Sequence, residues 1–261
     1  MKSRKIKLSI FGYILMGMFA CQPKQEKQPN IIYIYTDQQS ETMMSCSGNK
    51  YLKTPAMDYI ANNGIRFTRT YTTNPVCSPA RVSMMTGRFP GYFNDKKGNQ
   101  ARENGGSMNI PEVSEQVKST SIAAYLKKAG YNLVFGGKEH LPPSLTPKAL
   151  GFNDITDNER DILADETAKY IREKHDKPYF MVVSLINPHD ICYMAIRDFA
   201  VGKNTERLIS NGKTELATLD KALQSPEGIS KEQFFAEYCP PLPPNFEPQE
   251  DEAMAIGSLI D

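Results

Sequence analysis

The chain has 261 residues and a formal net charge of +1, and hydrophobic residues make up 40% of it. That length and composition allow a sizeable core, in one large domain or two small ones. A near-neutral charge without a clustered basic face argues against a nucleic-acid partner. The five cysteines are odd in number and widely spaced, which argues against a disulfide framework. They include no Cys-x-x-Cys pair, which argues against a zinc site.

The first twenty residues have the composition of an export signal. Basic residues precede an apolar run, residues 8–20, that is too short to span a bilayer comfortably. The run ends directly before Cys21 and resembles a bacterial lipoprotein signal, in which this cysteine becomes the lipidated first residue. We expect residues 1–20 to be removed, residues 21–29 to be a polar tether, and the protein to lie in the periplasm or on the outer membrane. An ordinary cleaved signal or a short N-terminal anchor are the alternatives, and both also place the protein outside the cytoplasm.

Apolar runs and helical spacing predict alternating strands and helices along the rest of the chain. In chain order these are strand 30–36, helix 55–63, strand 65–71, helix 78–86, surface loop 91–109, helix 121–129, strand 131–135, helix 158–174 and strand 179–186. Glycine follows three of the helices, and Ser78 is expected to cap the second.

This alternation predicts an α/β fold, with a parallel-rich central sheet and helices on both faces. The strands are apolar throughout, so we expect them to be buried. After Pro240 the chain becomes rich in proline and acidic residues and then stops at Asp261. A segment of this kind would normally lead into further structure, so we expect the fold to be incomplete at the C-terminus.

Polar side chains follow three of the predicted strands. Asp37 and Gln38 come after the first strand, Lys138 and His140 after the strand 131–135, and His189 after the last. In open α/β sheets, ligands bind outside the carboxyl ends of the strands. Taken singly, these residues could be a turn residue, a surface lysine and a loop histidine. Their shared position favours one functional site.

The most specific motif is Cys77-Ser78-Pro79-Ala80-Arg81, which continues to Thr86-Gly87-Arg88. This segment, CSPARVSMMTGR, resembles the signature of the formylglycine-dependent type I sulfatases, members of the alkaline phosphatase superfamily. The resemblance covers nearly all of residues 30–261, which we interpret as the N-terminal portion of the catalytic domain of a truncated member. The competing interpretation of Cys77 is a small buried cysteine at a helix start.

The resemblance implies that a maturase oxidises Cys77 to formylglycine. The hydrated aldehyde has two hydroxyls on one carbon, so one can attack sulfur and the other can later expel sulfate. A position at a helix N-terminus favours binding of an anion. Arg81 lies four residues further, on the same helix face, and the resemblance implies that it holds the hydrate.

The resemblance also implies a calcium ion held by Asp37, Gln38 and the formylglycine oxygen at Cys77. Many sulfatases have a second aspartate where this chain has Gln38, but an amide oxygen can also coordinate calcium. Lys138 corresponds to a lysine that contacts the sulfate oxygens. His140 corresponds to the histidine that takes a proton from formylglycine, and His189 to the one beside the leaving oxygen.

We therefore predict a sulfuric ester hydrolase that acts on sulfated glycans or small molecules, with carbohydrate sulfates preferred because of the export signal. Sulfatases of this type are about twice this length, and their later part supplies further metal ligands. We expect the 261-residue chain alone to have little or no activity. The alternatives are a phosphodiesterase or phosphonate monoester hydrolase, and a non-catalytic lipid-anchored remnant.

Overall fold

The structure is a computed structural model that describes residues 27–93, 113–198, 203–242 and 246. The chain divides into two compact units: Met1–Ile34 with Ser78–Val183, and Tyr35–Cys77 with Ser184–Asp261. The predicted signal, Cys21 and most of the predicted loop 91–109 lie outside the described residues. Within the part that is described, no helix has the length and apolar character needed to cross a membrane.

The strands of the described residues form one four-stranded sheet, which is the centre of the α/β fold. They are β1 (Ile31–Asp37), β2 (Asn132–Gly137), β3 (Asn153–Thr156) and β4 (Tyr179–Pro188), in the spatial order β1-β4-β2-β3. β2 and β3 pair in parallel, with Val134 opposite Asn153. The sheet belongs to the first unit, apart from the C-terminal ends of β1 and β4, which belong to the second. A parallel sheet with accompanying helices confirms the predicted fold class.

The helices follow the capping rules of their sequences: Pro55 occupies the first turn of α1, and Ser121 caps α4 through the backbone N–H of Ala124. The helices are α1 (Pro55–Asn63), α2 (Cys77–Thr86), α3 (Glu115–Lys118), α4 (Ile122–Lys128), α5 (Pro147–Leu150), α6 (Leu163–Arg172), α7 (Cys192–Asp198), α8 (Lys203–Asn211), α9 (Lys213–Ala222) and α10 (Lys231–Gln233). Short 3-10 turns lie at Ser45–Ser47, Pro90–Tyr92, Pro143–Leu145 and His189–Ile191, and a π-helical turn at Phe234–Tyr238.

The core of the first unit lies against β2 and β4. The rings of Phe135 and Phe180 both contact Phe152, with centroids 6.0 Å apart in each pair. Gly136 in β2 lets α6 come close to the sheet, because a Cβ there would lie 2.7 Å from Cδ1 of the buried Leu163. The tight packing at Gly136 holds the end of β2 in place, and this end leads into the predicted site residues Lys138 and His140.

The structure corrects the prediction that every strand is buried. β1 is one of the two edge strands of the sheet, and its residues Ile32 and Ile34 are exposed. An edge strand has a neighbour on one side only, so an apolar sequence does not guarantee burial. In β1 only the terminal Asp37 is buried.

The predicted strand at residues 65–71 is wrong, because this segment is irregular in the structure. A β-strand requires backbone hydrogen bonds to a neighbour, and within the described residues no backbone–backbone hydrogen bond joins 65–71 to another segment. The local sequence therefore has the pattern of a strand without a partner strand.

Two helix starts also differ from prediction. The helix predicted over 158–174 begins only at Leu163, because Oδ1 of Asn158 accepts the backbone N–H groups of Arg160 and Asp161 and holds a turn. Helix α2 begins at Cys77, so Ser78 lies in its first turn and is not its cap.

Candidate active site

Three of the predicted site residues meet in the second unit. Asp37, Cys77 and His189 each place one potential ligand atom so that all three atoms lie within 4.8 Å of one another. The thiol Sγ of Cys77 donates a hydrogen bond to Oδ1 of Asp37 at 3.6 Å. A carboxylate, a thiol and an imidazole in such proximity can share a cation or a proton.

The positions of Asp37 and His189 follow from the sheet. Asp37 is the last residue of β1, and His189 is the first residue after β4. β1 and β4 are neighbours in the sheet, so their ends carry the two side chains to one place. The turn after β4 is held by Asn187, whose Oδ1 accepts the backbone N–H of the buried Asp190 at 3.2 Å.

Cys77 is the first residue of the ten-residue helix α2 and is half-buried. Backbone N–H groups in the first turn of a helix have no acceptor within the helix, and the helix dipole is positive at this end. A nucleophile at this position would work where negative charge is stabilised.

In the first unit, the structure brings Arg81 and Lys138 together. Arg81 is buried, and its Nη1 donates a hydrogen bond of 2.8 Å to the backbone carbonyl oxygen of Lys138. This bond ties the second turn of α2 to the residue that follows β2. The bond involves only the backbone of Lys138, so the role of the lysine side chain stays a prediction.

His140 and Gln38 are the most exposed of the predicted site residues. His140 has a φ of 42° and Gln38 a φ of 64°, so each sits in the left-handed region at a sharp turn of the backbone. Non-glycine residues held in this region of φ and ψ cluster at catalytic and ligand-binding sites. Their predicted roles in proton transfer and metal binding stay predictions.

Glu139 lies between Lys138 and His140, and the sequence alone did not single it out. Burial raises the pKa of the Glu139 carboxyl above its ordinary value of 4.5, and the negative charges of Asp154 and Asp157 raise it further. The signal that could have found it is its place inside the Gly-Lys-Glu-His segment. The sequence does not show that Asp154 and Asp157 lie near Glu139, because this depends on β3, which was not predicted.

The donor atoms of the cluster determine which metal it suits. Calcium takes six to eight oxygen ligands, whereas Asp37, Cys77 and His189 offer an oxygen, a sulfur and a nitrogen. With a thiol at position 77, the set is softer than calcium prefers. If the sulfur is replaced by the oxygens of an aldehyde hydrate, the set gains oxygen donors and fits calcium better. His189, which was expected beside the leaving oxygen, lies next to two of the predicted metal ligands, Asp37 and Cys77, because β1 and β4 are adjacent.

Comparison with known proteins assigns the family. The model of the sulfatase family matches residues 29–225, so the chain belongs to the sulfatase family. An ulvan-active sulfatase of Formosa agariphila is 30% identical over 161 residues, which are 55% of this chain and 30% of the relative. The N-acetylglucosamine-6-O-sulfatase of Bacteroides thetaiotaomicron is 36% identical over 120 residues, 46% of this chain and 19% of the relative. The chain thus spans less than a third of the length of these two relatives.

Solved structures agree with this fold. A candidate sulfatase from Bacteroides thetaiotaomicron matches with a TM-score of 0.53 at 22% identity. The match covers 68% of this chain and 39% of the solved chain. A candidate sulfatase from Bacteroides fragilis has a TM-score of 0.50 at 26% identity, with coverage of 65% and 46%. All seven predicted site residues lie inside the segment that the family model matches.

Proposed function

We propose that the protein hydrolyses sulfate esters, with a formylglycine derived from Cys77 as the nucleophile. The observation that supports it most is the cluster of Asp37, Cys77 and His189 at the first residue of a helix, in a chain of the sulfatase family. A lone cysteine at a helix start would not require a carboxylate and an imidazole within reach of its sulfur. A nucleophile needs such neighbours to be oriented and to exchange protons.

The proposed reaction divides one difficult hydrolysis into two easier steps. One hydroxyl oxygen of the hydrated aldehyde attacks sulfur, the bond from sulfur to the alcohol oxygen breaks, and the alcohol leaves with a proton. The second hydroxyl then loses its proton, its oxygen becomes the aldehyde oxygen, and the bond from carbon to the sulfate oxygen breaks. Water restores the hydrate after sulfate has left.

The other residues take the roles that the family resemblance gives them. His189 would supply the proton to the leaving alcohol, and His140 would remove the proton from the second hydroxyl, since the pKa of histidine lies near neutral pH. Lys138 would bind sulfate oxygens. Arg81 would hold the hydrate, and its hydrogen bond to the Lys138 carbonyl supports a part in positioning the segment after β2.

Calcium would be held by Asp37, Gln38 and the formylglycine oxygens at position 77, where it would polarise the ester oxygens as a Lewis acid. The carboxylate at the end of β1 supports this assignment. Conversion of Cys77 requires a formylglycine-generating maturase, which is the protein partner we propose. The export signal and a lipid on Cys21 would place the enzyme in the periplasm or on the outer membrane.

We propose carbohydrate sulfates as substrates. The names of two relatives support this class: an N-acetylglucosamine-6-O-sulfatase, at 36% identity, and an N-acetylgalactosamine-6-O-sulfatase, at 35% identity. A human steryl-sulfatase is 29% identical over 150 residues, so small non-sugar sulfates are the comparison that an assay needs.

A chimera tests the reaction. In the Formosa agariphila ulvan-active sulfatase, the segment that matches this chain is replaced by the corresponding residues of this chain. The chimera is produced together with a maturase. We expect hydrolysis of an aryl sulfate and of sulfated sugars, lost in the Cys77→Ala version of the same chimera. A folded chimera that carries the aldehyde yet cleaves a phosphodiester faster than a sulfate ester would refute the proposal.

A further inference from the structure

The side chains of Asp37, Cys77 and His189 offer a metal ion one oxygen, one sulfur and one nitrogen. Each of these atoms lies within 4.8 Å of the other two. Proteins bind zinc through this mixture of donors, whereas calcium takes six to eight oxygen ligands. While position 77 is still a cysteine, the cluster therefore suits a different ion from the calcium proposed for the converted enzyme.

The separation of two of the ligand atoms matches the geometry of a zinc site. Sγ of Cys77 lies 3.6 Å from Oδ1 of Asp37. In a tetrahedral zinc site, a bond to sulfur of about 2.3 Å and a bond to oxygen of about 2.1 Å place these two atoms about 3.6 Å apart. The nitrogen of His189 is at most 4.8 Å away and has to approach by no more than about 1.4 Å. Rotation of its side chain can supply that movement.

The fold holds the ligands in place and favours their charged forms. Asp37 ends β1 and Cys77 begins α2, and side chains on strands and helices are positioned more precisely than those on loops. Asp37 is buried, and a cation would replace part of the hydration that its carboxylate has lost. The first turn of α2 favours negative charge and therefore the thiolate, which is the form of cysteine that binds metals.

The spacing of the ligands in the sequence gives no sign of such a site. The chain lacks the Cys-x-x-Cys pair that is typical of local zinc motifs. Asp37 and Cys77 are 40 residues apart, and His189 lies much further along the chain. The strand order of the sheet and the start of α2 bring the three residues together, so the site is a property of the fold.

We propose that the protein binds Zn²⁺ at Asp37, Cys77 and His189 while position 77 is cysteine, and that it prefers Zn²⁺ to Ca²⁺ in this state. The thiol proton is released to solvent, Sγ and Oδ1 exchange their hydrogen bond for bonds to zinc, and water takes the fourth position. A chain converted by the maturase lacks the sulfur and should prefer calcium, a consequence that rests on the proposed function. Zinc would thus mark the unconverted protein.

Cobalt(II) is the probe for this site, because it occupies zinc sites and absorbs light by charge transfer when a thiolate binds it. The full chain, produced without a maturase, freed of metal by a chelator and kept reduced, is titrated with Co²⁺. We expect a thiolate-to-cobalt band that saturates at one cobalt per chain and is removed by Zn²⁺. The band should persist in about a hundredfold excess of Ca²⁺. No band, or a band that calcium removes, would overturn the proposal.

Substitutions identify the ligands. Cys77→Ser and His189→Ala should each weaken zinc binding by about a hundredfold or more, because each removes one of three ligands, and Cys77→Ser should also abolish the band. Cys192→Ser is the matched control, since Cys192 is half-buried like Cys77 and lies three residues after His189. It should keep both the band and the zinc affinity. Cys77→Ser exchanges a single atom, and an unchanged melting temperature without metal checks that its fold is kept. A band that survives Cys77→Ser and is lost in Cys192→Ser would overturn the assignment.

The zinc site and the proposed function fail separately. An unconverted chain that binds no zinc would overturn the zinc site and leave the aldehyde and the hydrolysis untouched. A chain that binds zinc but is never converted would contradict the proposed nucleophile and leave the zinc site in place. In a chain whose aldehyde is verified by its mass, zinc affinity should fall by about a hundredfold or more. Equal zinc affinity of the thiol and aldehyde forms would overturn the role of the Cys77 sulfur.

Discussion

The Sγ of Cys77 donates a hydrogen bond to Oδ1 of Asp37 across a sequence separation of 40 residues, at 3.6 Å. The end of β1 and the start of α2 therefore meet at the pair of side chains predicted to be the nucleophile and a metal ligand. His189, from the end of the neighbouring strand, completes the cluster. At this distance, a change of charge at position 77 acts directly on the carboxylate of Asp37.

Asp37→Asn should weaken calcium binding by about tenfold, because it removes the negative charge of the cluster. Calcium that binds only the folded protein raises its melting temperature, so thermal unfolding with and without calcium measures the effect. The wild-type chain, produced with a maturase, should show a calcium-dependent rise that Asp37→Asn lacks. Asp165→Asn, an exposed residue in the first turn of α6, is the control and should keep the rise. An equal calcium response in wild type and Asp37→Asn would exclude Asp37 as a ligand.

Arg81→Lys should reduce the free energy of unfolding by about 1.5–3 kcal/mol, the range for a hydrogen bond from a charged donor. Arg81 is buried and its Nη1 reaches the carbonyl oxygen of Lys138, whereas the shorter, more strongly hydrated ammonium of lysine cannot reproduce the planar geometry. Urea unfolding measures the change. Arg172→Lys, on the exposed surface of α6, should change stability by less than about 0.5 kcal/mol. Similar losses in both variants would mean that the Arg81 bond adds little.

Glu139→Gln should stabilise the protein slightly at neutral pH, and the gain should disappear in acid. Burial and the charges of Asp154 and Asp157 raise the pKa of Glu139 above its value in the unfolded chain. The stability contributed by this group is therefore present below the ordinary pKa of 4.5 and is lost as the pH rises through the folded value. Thermal unfolding across this range, with the exposed Glu173→Gln as control, measures the difference. A gain that persists unchanged in acid would contradict the assignment.

The sequence predicts elements well where local chemistry decides them. Helix α1 runs over Pro55–Asn63 as expected, because proline suits its first turn and Gly64 follows its end. β2 and β4 are apolar runs that are buried in the structure. β3 escaped prediction because it has only four residues, two of them Asn153 and Asp154.

Long-range pairing explains what the sequence could not predict. Residues 65–71 have the pattern of a strand, but no local property states whether a partner strand is present. For the site, strand ends identified Asp37 and His189, and a family motif identified Cys77. Asp37 and His189 lie close together because β1 and β4 are neighbours in the sheet. The sequence alone does not give this strand order.

The state of Cys77 is the most direct test of the proposed chemistry. The chain is produced together with a maturase, and the mass of the tryptic peptide spanning residues 70–81 is measured. We predict a peptide lighter by the difference between a thiol and an aldehyde side chain, with Cys46 in the same protein unchanged. An intact thiol at Cys77, in cells that convert a known sulfatase produced alongside it, would contradict the proposed nucleophile.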